Sequence, residues 1–69
     1  MEFNYSLLKS RIRARGYTYR AFAKALGISS TSLCSKLRNE QPFKALEIYK
    51  AKELLELPNV DDYFFVKRA

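Results

Sequence analysis

At 69 residues the chain has room for one domain, close to the lower limit for a self-sufficient core. An apolar fraction of 48% with two glycines and two prolines argues against a disordered chain, and no apolar run approaches the roughly 18 residues that cross a bilayer. The net charge is +6, histidine is absent and Cys34 is the one cysteine, which excludes an intrachain disulfide, the usual Cys/His zinc site and a Cys/His nucleophile pair.

In chain order, Tyr5, Leu8 and Ile12 recur at three- and four-residue spacing with Leu7 beside them, which predicts a first amphipathic helix. Asn4 is placed to cap it, and Gly16 to end it after Arg15, a cation suited to the negative end of the helix dipole. "RIRAR" alternates as a strand would, but Leu7, Leu8, Ala14 and the capping pattern favour helix. Thr18 is a natural N-cap for a second helix over 19–26, with Phe22 and Leu26 on one face and Gly27 to stop it. Ser29 caps a third helix over about 30–38, in which Leu33 and Leu37 form the apolar seam. "NEQP" breaks the chain, because Pro42 disfavours helix at the residue before it. A fourth helix runs from 44 to 53 or 55, burying Ile48, Ala51 and Leu55, with Leu46 or Leu54 at its flank. "LPNVDDYFF" reads as a turn and a last short helix capped by Asn59, with Asp61 and Asp62 in its first turn. The expected architecture is all-α, a compact four- to five-helix domain over 1–69, with no repeats or linkers.

Charge is distributed unevenly along the chain. Between 1 and 40, Lys9, Arg11, Arg13, Arg15, Arg20, Lys24, Lys36 and Arg38 face only Glu2 and Glu40. Between 41 and 69, Lys44, Lys50, Lys52, Lys67 and Arg68 balance Glu47, Glu53, Glu56, Asp61 and Asp62. This asymmetry predicts a half that faces a polyanion and a half that is structural. Without histidine, catalysis is not expected. No cofactor or metal is expected either.

The second and third helices, joined at Gly27 and Ile28, have the anatomy of a helix-turn-helix over about 18–38. Ala23 is small because the third helix crosses closely over the second, and Gly27 supplies the backbone freedom for the turn. Leu26, Ile28 and Leu33 supply the apolar contacts that fix the crossing.

The stretches "TYRAFAKALGISSTSLCSKL", "PF" and "EIYKAKELLEL" resemble the phage-repressor regulators of the Cro/repressor, xenobiotic-response-element type over essentially the full chain. The ending "DDYFF" is similar to that of small Cro-like or repressor-modulating proteins from phages of Gram-positive bacteria. The resemblance implies a lambda-repressor-like DNA-binding fold, with Ser30, Thr31 and Ser35 of the third helix at base edges in the major groove. Their short hydroxyls let a helix sit deep, and the Thr31 methyl offers a thymine contact. Arg38, or Lys36 if it swings round, is the better guanine reader. Tyr19 and Arg20 at the start of the second helix, with Ser29, Lys36, Asn39 and Lys44 flanking the third, are the expected phosphate contacts. Six neutralised phosphates would give a salt slope of about −5.

The chain departs from the family pattern in two places. Lys36 stands where many members carry an aliphatic residue, so Leu37 is expected to take that core role. Tyr19, Ser30 and Thr31 stand where glutamine is common. Plainer roles remain beside these. The serines from 29 to 35 also suit a capped, solvated face, and Arg11, Arg13 and Arg15 read as solvated cations. Cys34 reads as a small half-exposed neutral residue, and Tyr63, Phe64 and Phe65 as core closure or a shared interface.

The leading expectation is a Cro-like transcriptional regulator that binds double-stranded operator DNA as a homodimer. The alternative is a modulator of repression that binds a partner repressor protein. A ribbon-helix-helix dimer would instead need a strand near the N-terminus, and a membrane-surface helix would need one strong apolar face. The opening "MEFNYSLLKSR" lacks signal-peptide features, so the cytoplasm of a bacterial host is the expected location, with no membrane partner.

Overall fold

The computed structural model describes residues 2–67. The elements are α1 (Ser6–Ala14), α2 (Tyr19–Leu26), α3 (Ser30–Leu37), α4 (Ala45–Leu55) and α5 (Asp61–Phe64). Four of the five begin just after a side chain that offers an acceptor, and α4, which opens at Lys44, relies instead on Glu47 within it. Thr18 accepts the Ala21 N–H at 3.0 Å ahead of α2, and Ser29 accepts the Ser32 N–H at 3.1 Å ahead of α3. Asn59 accepts the Asp62 N–H at 3.0 Å ahead of α5. Asn4 acts one residue earlier than expected. Tyr5 holds the cap position of α1, while the Asn4 side chain takes the Ser6 N–H at 2.9 Å.

The helix ends share one device. At Gly16, Gly27, Asn39 and Glu56 the backbone turns left-handed, with φ of 83°, 83°, 65° and 52°. At each, two successive N–H groups bond back three and five residues, as Gly27 to Lys24 and Ile28 to Ala23 do at 3.0 Å. Glycine adopts this conformation without the Cβ clash that disfavours it elsewhere. Asn39 and Glu56 do so with help from their side chains or from what grips them, as described below.

The core draws on every helix. Tyr5, Leu8 and Ile12 come from the first helix and its approach, Phe22, Ala23 and Leu26 from the second, Leu33 and Leu37 from the third. Ala51, Leu55, Leu57 and Phe64 complete it. α2 packs on both α3 and α4, and α5 packs on α1. Phe43 bridges two of these parts through edge-on ring contacts, 5.4 Å from Tyr5 and 5.1 Å from Phe64 between centroids.

The fourth helix buries Ala51 and Leu55 as expected, with Glu47 added to that face and Ile48 at its edge. Glu47, Ala51 and Leu55 are buried, whereas Ile48 is half-buried. The cause is an ion pair to α3 that draws the Glu47 carboxylate inward. Leu54 packs at the flank of the core while Leu46 is exposed. "RIRAR" lies within or just beyond α1, not in a strand. Among the described residues extended pairing is confined to the two ends: Phe3 and Lys67 form an isolated antiparallel bridge, and the Asn4 N–H reaches the Val66 carbonyl at 2.6 Å. A ribbon-helix-helix arrangement is therefore absent from the described chain. Among the described residues no helix is long and apolar enough to cross a membrane.

Candidate nucleic-acid interface

The α2–α3 pair is held as its sequence requires. Ala23 and Leu33 are fully buried, Leu26 nearly so, and Ile28 packs half-buried against the same cluster. Gly27 is left-handed, and an added Cβ there would meet only Lys50 Nζ, at 3.8 Å. The turn therefore needs glycine for its backbone, not for space.

With Leu33 and Leu37 locked inward, α3 presents Ser30 and Thr31 exposed near its start and Arg38 exposed just past its end. Ser35 and Cys34 are half-buried between them. Arg38 pairs with Glu40 at 3.3 Å, both side chains more than half exposed, a contact worth little in water and easily exchanged. Ser29 is committed to its cap, donating its hydroxyl to Ser32 Oγ at 3.1 Å while accepting the Ser32 N–H. Arg20 and Lys44 are exposed at the starts of α2 and α4. Tyr19 is half-buried with the Arg13 guanidinium 5.8 Å from its ring centroid.

Two expected phosphate contacts are placed otherwise. Lys36 is 4% exposed, and its ammonium lies 2.5 Å from Glu47 Oε1, so it faces the protein interior. Leu37 does take the core position, but Lys36 is buried beside it. Asn39 spends its side chain on the N-terminal segment: Oδ1 accepts the Phe3 N–H at 2.8 Å and Nδ2 donates to the Phe3 carbonyl at 2.9 Å. Neither group is presented to a phosphate.

Arg11 and Arg15 also have structural work. Arg11 donates to the Leu55 carbonyl at 3.0 Å and the Glu56 carbonyl at 3.2 Å, and Arg15 pairs with the Glu56 carboxylate. They tie α1 to the end of α4, where unsatisfied carbonyls and the helix dipole attract cations. The residues that sequence reasoning missed are Arg11 and Glu47. Only Glu47 left a trace, as an acidic residue three places after the start of the fourth helix, where it accepts the Lys44 N–H at 3.0 Å.

Electrostatics at Glu47 follow from these contacts. Burial alone would raise its pKa, but hydrogen bonds from Lys36 and the Lys44 backbone, with the charges of both lysines, bring it below the ordinary value. Burial raises the pKa of the Tyr5 phenol. Among the described residues no cluster of three or more histidine, cysteine, aspartate or glutamate side chains could hold a metal ion.

A family model described as "Protein of unknown function (DUF739)" matches residues 1–67. The chain belongs to the DUF739 family. The DUF739 match takes in α2, α3 and α5 together, so the exposed α3 face and the closing helix are parts of one family domain. No curated protein matches the chain significantly.

Proposed function

We propose that this DUF739 protein binds double-stranded DNA through α3, as an operator-reading transcriptional regulator of the Cro type. The observation that carries the reading is the exposure of Ser30, Thr31 and Arg38 on a short helix locked to α2 through a left-handed turn. In the major groove, Ser30 and Thr31 meet base edges, with Ser35 deeper along the helix, and the Thr31 methyl meets a thymine methyl. Arg38 leaves Glu40 for the O6 and N7 of a guanine. Arg20 and Lys44, with Tyr19, hold phosphates and fix the register. A symmetric dimer places two copies of α3 on two half-sites.

The test is fluorescence-anisotropy binding to a random duplex pool and to its selected winners across a salt series. Enrichment of one palindromic motif is expected. Two cations on phosphates (Arg20 and Lys44) give a slope of about −1.8 for one chain and about −3.6 for a dimer. Arg38→Ala should relax preference at one base pair by about 1–3 kcal/mol; equal loss on every sequence would make Arg38 a phosphate contact.

One observation favours a second reading, a modulator that binds a partner repressor. Leu46, Tyr49 and Phe65 are exposed, and Phe65 borders a groove lined by Phe43 and Ile48. Binding without any motif, joined by tight association with a phage-type repressor, would select it.

A further inference from the structure

One carboxylate oxygen joins the base-reading helix to a phosphate anchor. Glu47 Oε1 accepts from Lys36 Nζ at 2.5 Å and from the backbone N–H of Lys44 at 3.0 Å. Lys36 lies in the last turn of α3, and Lys44 is the residue that opens α4. Both partners of the ion pair are buried, at 4% and 7% exposure. α3 otherwise packs chiefly on α2, through apolar contacts that are not directional. The pair therefore supplies the directional link between α3 and α4.

We infer that Lys36 and Glu47 are positioning residues for DNA recognition, fixing α3 relative to Lys44 without touching DNA themselves. This rests on the DNA-binding reading above. Phosphate contacts set the register in which base contacts are tried. A joint that holds the Lys44 backbone and the end of α3 on one oxygen keeps the two in step. Burial of the pair fits this role. Buried ion pairs are often replaceable by apolar residues without loss of stability, so what they add is defined geometry. Lys36 thus serves specificity from inside the protein, although its charge and its place on α3 suggest a phosphate contact.

The double variant Lys36→Met/Glu47→Leu removes the joint and leaves no lone buried charge. Its melting temperature should fall by no more than the lost Lys44 N–H bond accounts for, its salt slope should be unchanged, and its selected-to-random affinity ratio should be lowered about ten-fold, the worth of one lost base contact. An unchanged ratio would mean that the pair positions nothing. A slope shallower by about one per chain would make Lys36 a phosphate contact after all. If the wild-type protein selects no DNA sequence, the DNA-binding reading fails on its own terms and the joint is decided in the free protein. There the amides of Leu37 and Arg38 should lose about ten-fold of their hydrogen-exchange protection in the double variant while those of α2 keep theirs. Equal protection in both proteins would overturn the joint.

Discussion

Asn39 offers the clearest test of whether polar joints or apolar packing hold the end of α3. Its φ of 65° is left-handed, and its amide makes two hydrogen bonds to the backbone of Phe3, at 2.8 and 2.9 Å. Each bond contributes about 0.5–1.5 kcal/mol net, so Asn39→Gly should cost about 1–3 kcal/mol, since glycine keeps the backbone at ease. Asn39→Ala loses the same bonds and adds left-handed strain of about 1 kcal/mol, for a total of about 2–4 kcal/mol. A domain of this size has only about 3–10 kcal/mol of stability, so the alanine variant should be near its limit. Urea unfolding followed by far-ultraviolet circular dichroism at neutral pH measures both changes, provided the m-value is constant. Two results would refute the reasoning. A glycine variant as stable as the wild type would show that the bridge to Phe3 contributes nothing. Equal losses in both variants would show that the left-handed backbone carries no cost. A side chain reserved for phosphate would leave the glycine variant as stable as the wild type and cost the alanine variant only its left-handed strain.

At Gly27 an alanine meets no neighbour closer than 3.8 Å, so Gly27→Ala should cost only backbone strain, about 1–2 kcal/mol, and Gly27→Val distinctly more. Thermal unfolding checks the order, and an unchanged midpoint for valine would place the turn elsewhere. Arg11→Ala should cost about 1–2 kcal/mol through the lost bonds to Leu55 and Glu56, against less than about 0.5 kcal/mol for exposed Arg13→Ala, in parallel urea titrations. The lowered pKa of Glu47 gives stability that is fully present above the ordinary glutamate value and is lost as pH falls through the lowered one. In Lys36→Met the largest contact that opposes burial is gone, so the Glu47 pKa rises and the stability lost between about pH 7 and about pH 3 differs from that of the wild type. Urea midpoints across that range decide it, and parallel pH curves for the two proteins would refute the assignment.

Local signals were legible because they are local. Thr18, Ser29 and Gly27 act on backbone within a few residues, so α2, its turn and the start of α3 follow from the string of letters. Leu33 and Leu37 are likewise set by helical periodicity. The rest depends on partners far apart in the chain. Asn39 reads as an exposed polar residue until Phe3, 36 residues away, is folded against it. Glu56 ends α4 in a left-handed turn without glycine, and the arginines that grip it belong to α1 and its end. Lys36 carries every sequence mark of a solvated cation. Its burial could be inferred only by asking which anion waits opposite an aliphatic position, and Glu47 was already accounted for as a neutral balance to nearby lysines. Tyr63, Phe64 and Phe65 show the same limit, since α5 buries Phe64, half-buries Tyr63 and exposes Phe65.

The fold also redraws the charge map that the chain order suggests. Along the sequence all the excess positive charge falls in the first forty residues. In space, Glu47 and Glu56 from the second part are drawn to Lys36 and Arg15 from the first, and Arg11 turns to the end of α4. The total charge is unchanged, but Glu47 and Glu56 no longer balance only the cations near them in sequence. Arg20 and Lys44 stand exposed at the starts of α2 and α4. Under the DNA-binding reading proposed above, these two would grip phosphates while α3 reads bases. Linear charge asymmetry predicts a half that faces a polyanion, but Arg15–Glu56 and Lys36–Glu47 join the two halves, so the excess charge in the fold is no longer the property of one segment.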